Sequence, residues 1–212
     1  MVNFPKIKYI DLYNIENLLM SKNTDKLHSY TKSLSNNCSY ISRIRNEFVK
    51  YVSWAMPNSD VISTITEFSI NKTIVEIASG HGYWAALLRH RGTKVIATDN
   101  FSENEEKTFT EVLNMDANTA TTIFLSPDKA PNSVLMLVWP PYKNSLAENA
   151  LQSFRKNGGT HLIYVGESDY GCTADDGFFD ELSNNWKLVN KINIPRWEYI
   201  NDYCYLYCIN NL

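Results

Sequence analysis

The sequence predicts an α/β fold in which one mostly parallel, seven-stranded sheet carries helices on both faces. From about residue 72 onward, short β-branched apolar segments alternate with segments of helical periodicity, which is the order of parallel βαβ units. Glycine and proline turn signals separate these segments. At the C-terminal end, two strand-like segments follow each other with only a loop between them, which predicts an antiparallel hairpin.

The length and composition are those of one globular domain. The chain has 212 residues, 44% of them hydrophobic, which is enough to build a core without disulfides. We expect residues 1–70 to form a helical leader or lid packed on an α/β core of residues 71–212. The formal net charge of −3 gives no positive field for non-specific nucleic-acid binding, although it leaves room for a small basic patch.

The N-terminal part of the chain is predicted to be helical. In the first fifty residues, apolar side chains recur at helical spacing within a polar sequence. Pro57 interrupts this pattern. Asn58, Ser59 or Asp60 is then placed to cap a second helix that extends to Phe68.

The core is predicted to contain seven strands and three helices. The strands are expected over residues 73–77, 94–98, 111–115, 133–139, 161–165, 186–194 and 203–209. One helix is expected over residues 83–91, a second one ending near Lys156, and a third over 178–182. Gly92 follows the first of these helices, where a left-handed residue often ends a helix.

The cysteines and the N-terminus indicate a cytoplasmic protein without a metal. No CxxC pair occurs, and Cys204 and Cys208 lie in an aromatic, strand-like segment where buried free thiols are expected. The N-terminus lacks the residue order of a signal peptide. No segment approaches the roughly 20 apolar residues of a membrane span.

The most informative segment is IVEIASGHGYW, residues 74–84. A buried strand enters a glycine turn that opens a helix, and Asp99 ends the next strand. This arrangement predicts a nucleotide-type cofactor whose ribose hydroxyls bind the carboxylate of Asp99. Dinucleotide sites usually need a third glycine, and Trp84 and Ala85 occupy that region here, which argues against an NAD(P)-dependent oxidoreductase.

This segment resembles motif I of the class I S-adenosylmethionine-dependent methyltransferases, E/D-x-G-x-G-x-G, with Ala78 in place of the first glycine. The resemblance implies a Rossmann-like fold and S-adenosylmethionine as cofactor. It implies that Glu76 helps hold the methionine end, Asp99 the ribose, and that Asp116 approaches the adenine amino group. The full set of expected cofactor-binding residues is Glu76, Ala78, Ser79, Gly80, Gly82, Trp84, Asp99, Asn100, Asp116, Ala117 and Trp139.

The segment LVWPPY, which ends the fourth predicted strand, resembles the D/N-PP-Y/F/W motif of amino-methyltransferases. In that motif the acidic or amide side chain and a proline carbonyl accept hydrogen bonds from the target amine. Trp139 occupies the first position here and has a donor but no acceptor, which weakens a nucleobase-amine interpretation. Stacking by Tyr142 and the backbone carbonyls of the loop remain available to such an acceptor.

The expected catalytic residues are Glu167, Tyr142 and Trp139. Glu167 follows the fifth predicted strand and is the best general-base candidate by position, although a solvated loop carboxylate is an equal alternative. Trp54 and Tyr83 are candidate covers of the site.

The resemblance extends to a family of small methyltransferase-like proteins over roughly residues 50–208. Its motifs here are SWAMPN, EIASGHGYWAALLRHRG, VLMLVWPPY, YVGE, GCTADDGFF and IPRW followed by Asp202. We therefore expect in-line methyl transfer to an oxygen or nitrogen of a small-molecule or sugar acceptor. A nucleic-acid or nucleotide amino-methyltransferase and a catalytically silent binding or scaffold protein are the alternatives.

Overall fold

A seven-stranded sheet organises the computed structural model, which describes residues 45–46, 48–50, 52–101, 108–169, 171–197 and 199–210. The helices predicted for residues 1–44 lie outside these ranges. In chain order the strands are β1 Thr73–Ile77, β2 Val95–Asp99, β3 Leu113–Asn114, β4 Ser133–Val138, β5 His161–Gly166, β6 Trp186–Asn193 and β7 Tyr203–Ile209. Their order across the sheet is β3-β2-β1-β4-β5-β7-β6.

The first five strands are parallel, and the last two form an antiparallel hairpin. Strand β1 pairs in parallel with β2 on one side and with β4 on the other. Strand β7 lies between β5 and β6 and is antiparallel to both. The predicted Rossmann-like sheet with a C-terminal hairpin is confirmed.

Five α-helices accompany the sheet in the described ranges. They are α1 Ser59–Phe68, α2 Tyr83–His90, α3 Ala117–Phe124, α4 Leu146–Lys156 and α5 Asp176–Asn185. The Asn58 side chain accepts a hydrogen bond from the Val61 amide at 2.8 Å and caps α1 as predicted. Gly92 has a φ of 82° beyond the end of α2, which confirms its expected left-handed conformation.

Helix α3 was not predicted. Its sequence, ANTATTIF, is rich in threonine and so has low helix propensity. Asp116 compensates by capping the helix: its Oδ1 accepts from the Thr119 amide at 3.0 Å, and its Oδ2 accepts from the Thr119 hydroxyl at 2.7 Å. These bonds keep the pKa of Asp116 below its usual value.

Each face of the sheet has its own hydrophobic core. One core joins α1 and α2 to the sheet through buried residues that include Ile65, Trp84 and Leu88. The other joins α3, α4 and α5 to the opposite face, with Phe154 and Phe178 fully buried at its centre. The two cores hold the parallel strands rigidly between layers of helices.

The chain reverses its direction of winding at β1. It leaves β1 toward β2 and β3 on one side and later returns to β4 on the other side. In open α/β sheets this arrangement leaves a crevice outside the carboxyl ends of the two central strands, where ligands bind. No helix among the described residues is long and apolar enough to cross a membrane.

We predict that Gly82→Ala destabilises the fold by about 2–4 kcal/mol. Gly82 has a φ of 70°, and a Cβ there would lie 2.6 Å from Val112 Cγ2. Gly80→Ala is the matched control, because Gly80 has a φ of 54° but nothing within 4 Å of its Cβ position. It should lose only about 1 kcal/mol. Urea denaturation measures both; equal losses would show that the Val112 contact is unimportant.

Candidate functional site

A cleft of about 710 Å³ opens at the carboxyl ends of β1, β2 and β4. All of the predicted cofactor-binding residues except Gly82 and Asp116 line it. Val52, Ser53 and Trp54 close one side, and Pro141 and Leu146 contribute to another. The crevice expected from the strand order is therefore present and is lined by the glycine turn.

The turn after β1 is built from left-handed residues and held by Asp99. Ala78, Gly80 and Gly82 have φ values of 57°, 54° and 70°. The Gly80 amide donates to Asp99 Oδ2 at 2.8 Å, and the Phe101 amide donates to Asp99 Oδ1 at 2.9 Å. Ala78 thus keeps the backbone conformation of the glycine that it replaces in the motif.

Glu76 places a buried carboxyl group against the cleft. The residue is 1% exposed, and its Oε2 has no hydrogen-bond partner within the described ranges. Burial raises the pKa of Glu76 to about 8, even though Arg89 acts in the opposite direction. A buried carboxyl group of this kind is a strong attractor for a cationic ligand group.

Ser79 provides a second polar group in the same cleft. Its hydroxyl oxygen is buried and lacks a partner in the part of the chain that the structure describes. Its backbone amide is already bonded to Thr98 O at 3.0 Å, so the turn itself is fixed. Glu76 and Ser79 together offer an anionic acceptor and a hydroxyl donor, which complement the ammonium and carboxylate of an amino acid.

Gly82 and Asp116 do not line the cleft, and each is the N-cap of a helix. Gly82 precedes α2 as its N-cap, with a buried backbone. Asp116 caps α3 between Met115 and Ala117, both of which line the cleft. A direct contact of Asp116 with a ligand stays a prediction, and its carboxylate already accepts two hydrogen bonds from Thr119.

The WPPY loop is pinned to the loop that follows β5. Trp139 has a φ of 51°, and its amide donates to Val165 O at 2.7 Å. The carbonyl of Pro140 accepts from the Ala174 amide at 3.1 Å. Tyr142 is 55% exposed and is not among the cleft-lining residues, and a catalytic role for it stays a prediction.

Glu167 uses both carboxylate oxygens within the protein. Its Oε2 accepts from the Cys172 amide at 2.8 Å, and its Oε1 accepts from the Asn201 amide at 2.7 Å. Burial acts to raise its pKa, but hydrogen bonds from the Cys172 thiol and from the Asn201 and Cys172 amides, with the charge of Arg45, outweigh burial and lower it. Glu167 does not line the cleft. A role as general base stays a prediction, while the geometry makes Glu167 a brace between two loops.

An aromatic stack borders the cleft next to Trp139. The rings of Trp54 and Trp139 lie 5.2 Å apart at an interplanar angle of 15°. The guanidinium carbon of Arg45 lies 5.6 Å from the Trp54 ring and 5.9 Å from the Trp139 ring. Trp54 was expected as a cover, whereas no pattern in the sequence pointed to Arg45.

Asp202 is the second residue for which sequence reasoning assigned no role. The Trp139 indole N–H donates to its Oδ2 at 3.0 Å. The sequence could have indicated that Trp139 has a hydrogen-bond acceptor, because the N–H of a buried tryptophan usually needs one. Sequence alone does not say which acceptor it finds. No group of three or more potential metal ligands occurs among the described residues.

Comparison with known proteins adds a likeness of fold. No protein-family model matches the sequence, and no curated protein matches it. The magnesium protoporphyrin IX methyltransferase of Synechocystis PCC 6803 with bound S-adenosylmethionine is 7% identical, with 71% of this chain and 79% of that chain covered and a TM-score of 0.45.

Two other solved structures are similar to the same extent. An S-adenosylmethionine-dependent methyltransferase from Anabaena variabilis ATCC 29413 is 11% identical over 71% of this chain and 84% of that chain, with a TM-score of 0.42. A protein of the NADB-Rossmann superfamily from Streptococcus agalactiae is 11% identical over 70% and 68%, with a TM-score of 0.43. At these values the likeness carries no argument about function, which depends on the site itself.

We predict that Glu76 makes the fold less stable as the pH rises from about 4.5 to about 8. The unfolded chain ionises Glu76 near the ordinary glutamate pKa of 4.5, whereas the folded chain retains the proton until about pH 8. Glu76→Gln removes this penalty. Its stability relative to the unsubstituted protein should therefore increase over this interval, by on the order of 3–5 kcal/mol.

Urea denaturation at pH 5, 6.5 and 8 measures the effect. The matched control is Glu67→Gln, which alters an exposed carboxylate on α1. It should follow the unsubstituted protein at each pH. A constant difference between Glu76→Gln and the unsubstituted protein would contradict the assigned burial of this carboxyl group.

Proposed function

We propose that this chain is an S-adenosylmethionine-dependent methyltransferase that acts on an oxygen or nitrogen of its acceptor. The observation that carries the proposal is the unpartnered Glu76 Oε2 in the cleft beside the glycine turn, within the part of the chain described. The ammonium and sulfonium groups of this cofactor are cationic, so their binding would favour the ionised form of the buried Glu76 carboxyl group. The Ser79 hydroxyl is then available to the carboxylate of the methionine end.

Asp99 is the residue that would hold the ribose. Its two carboxylate oxygens each accept one backbone hydrogen bond, from Gly80 and Phe101. A carboxylate oxygen can accept two, so both retain capacity for a ribose hydroxyl. Phe101, Met115 and Ala117 give the cleft an apolar wall suited to adenine. Asp116, next to this wall, is proposed to approach the adenine amino group.

The same site is poorly suited to a dinucleotide. A pyrophosphate bound at the glycine turn would oppose ionisation of the buried carboxyl group of Glu76, so the site would offer it no positive charge and, above about pH 8, a repelling negative one. The first turn of α2 also begins with the buried aromatic side chains of Tyr83 and Trp84. These bulky residues occupy the region where a dinucleotide site needs close approach of the helix.

The protein's role in such a reaction is to bind the cofactor and the acceptor and to orient them toward each other. S-adenosylmethionine, when bound, supplies a methyl group activated by its sulfonium. Trp139 lines the cleft at the end of β4 and separates it from the loops that follow β5. The rigid Pro140-Pro141 segment restricts the position of Trp139. A fixed geometry of this kind favours in-line attack by an acceptor held on the far side of the methyl group.

Calorimetric titration with S-adenosylmethionine and S-adenosylhomocysteine tests the cofactor assignment. We expect micromolar binding of both to the unsubstituted protein and no saturable binding of NAD. Asp99→Asn should weaken binding at least tenfold, because the amide nitrogen cannot accept the ribose hydrogen bonds. Glu76→Gln should weaken binding by a similar factor at pH 8 and above, where the Glu76 carboxyl group is ionised and the glutamine amide carries no charge.

The control variant is Asp180→Asn, which alters an exposed carboxylate on α5, remote from the cleft-lining residues. It should bind both sulfur cofactors like the unsubstituted protein. Thermal unfolding of each variant separates loss of binding from loss of fold. The proposal fails if the folded, unsubstituted protein binds neither sulfur cofactor.

A further inference from the structure

The carboxylate that Trp139 cannot supply at its motif position is present beside it. Trp139 Nε1 donates to Asp202 Oδ2 at 3.0 Å, although the two residues are 63 positions apart in the chain. The pair therefore places a carboxyl group directly behind an aromatic ring that lines the cleft. The hydrogen bond fixes one oxygen of Asp202 and leaves the other one to a different partner.

The topology of the sheet explains how Asp202 reaches this edge. Asp202 immediately precedes β7, and β7 is antiparallel to β5, with Tyr203 paired to Gly166. The start of β7 therefore lies at the carboxyl end of β5, on the same edge as Trp139. The Asn201 amide donates to Glu167 Oε1 at 2.7 Å, which fixes the backbone adjacent to Asp202.

The second oxygen of Asp202 is buried and unpaired. Asp202 is 1% exposed, and its Oδ1 has no hydrogen-bond partner within the ranges that the structure describes. Burial raises the pKa of Asp202 to about 6, although the hydrogen bond from Trp139 acts to lower it. The ionisable groups that act on Asp202 are Glu167, Arg196 and the phenol of Tyr205. Buried polar atoms are nearly always paired, so among the described residues this oxygen stands out as able to accept a further hydrogen bond.

We propose that Asp202 is the carboxylate that binds the methyl acceptor, that Trp139 positions it, and that the acceptor atom is the nitrogen of an amino group. This rests on the methyltransferase function proposed above. Reaching Oδ1 requires local opening, since this oxygen is out of contact with solvent in this structure. The half-exposed ring of Trp54 is stacked on Trp139 at the cleft.

The transfer step balances without another reactant. The lone pair of the acceptor nitrogen forms a bond to the methyl carbon, and the carbon–sulfur bond breaks with its electron pair remaining on sulfur. The nitrogen becomes positively charged, and its proton passes to Asp202 Oδ1. A nitrogen acceptor needs no stronger base than this carboxylate, because the methylated nitrogen is positively charged and gives up its proton readily. A hydroxyl would have to lose its proton during attack, which requires a stronger base.

The first test needs neither cofactor nor acceptor. In a ¹⁵N-labelled sample, the indole N–H resonance of Trp139, assigned through Trp139→Phe, should titrate with a midpoint near pH 6, the pKa of Asp202. Asp202→Asn should abolish the titration, whereas Glu67→Gln should leave it unchanged. A Trp139 indole signal that does not change across this midpoint, or that still titrates in Asp202→Asn, would overturn the assigned pair.

The second test measures transfer of tritium from methyl-labelled S-adenosylmethionine to matched probes. The pairs are adenosine with inosine, cytidine with uridine, and benzylamine with benzyl alcohol. Label should enter only amine-bearing members, and Asp202→Asn should lower the rate by roughly 100-fold or more while changing the cofactor dissociation constant less than about twofold. Label in the alcohol alone, an unchanged rate in Asp202→Asn, or no labelled amine from a protein that binds the cofactor would each overturn the proposal.

The variant Trp139→Phe tests whether Trp139 positions the Asp202 carboxylate through its hydrogen bond or only packs against neighbouring side chains. Without the indole hydrogen bond, the pKa of Asp202 rises, so the acid limb of the pH–rate profile should move upward by about one pH unit. A purely structural role would lower the rate without moving this limb, and would overturn the positioning role. Failure of the unsubstituted protein to bind S-adenosylmethionine would instead refute the proposed function, while the Trp139 indole titration would still report on the pair.

Discussion

The Asp99 carboxylate holds the turn on which the rest of the site depends. It comes from the end of β2 and accepts the amide of Gly80 in the turn after β1, so it joins two neighbouring strands at their carboxyl ends. Each charge-assisted hydrogen bond of this type is strong in a partly buried setting. Glu76 reaches the cleft from the end of β1, and Ser79 reaches it from the turn itself. The proposed cofactor side of the site therefore combines a strand end with a turn that Asp99 holds.

The second half of the site depends on the direction of one strand. If β7 were parallel to β5, Asp202 would lie at the opposite edge of the sheet from Trp139. Because β7 is antiparallel, the carboxyl group of Asp202 meets the end of β4 and pairs with the Trp139 indole. Glu167 braces the same region through the Asn201 amide. The C-terminal hairpin thus brings a carboxyl group to the tryptophan that lines the crevice of an otherwise parallel sheet.

Local patterns in the sequence predicted which residues surround the cleft better than they predicted the contacts of Trp139 and Glu167. The apolar β1 segment, its glycine turn and Asp99 lie within a short stretch, and all of the expected cofactor-binding residues except Gly82 and Asp116 line one cleft. Helix α3 was missed because threonine-rich segments do not look helical. The end of a predicted strand indicates at which edge of the sheet Glu167 lies. It does not indicate which backbone amides donate hydrogen bonds to the Glu167 carboxylate. The Trp139–Asp202 contact depends on strand order, which no local pattern encodes.

A crystal structure of the protein grown with S-adenosylhomocysteine would show which residues hold the cofactor. We expect the ligand's amino nitrogen to lie within hydrogen-bond distance of Glu76 Oε2 and its ribose hydroxyls to lie at Asp99. Its sulfur should face Trp139. A ligand bound outside this cleft, or bound within it with the amino group remote from Glu76, would contradict the proposed binding mode.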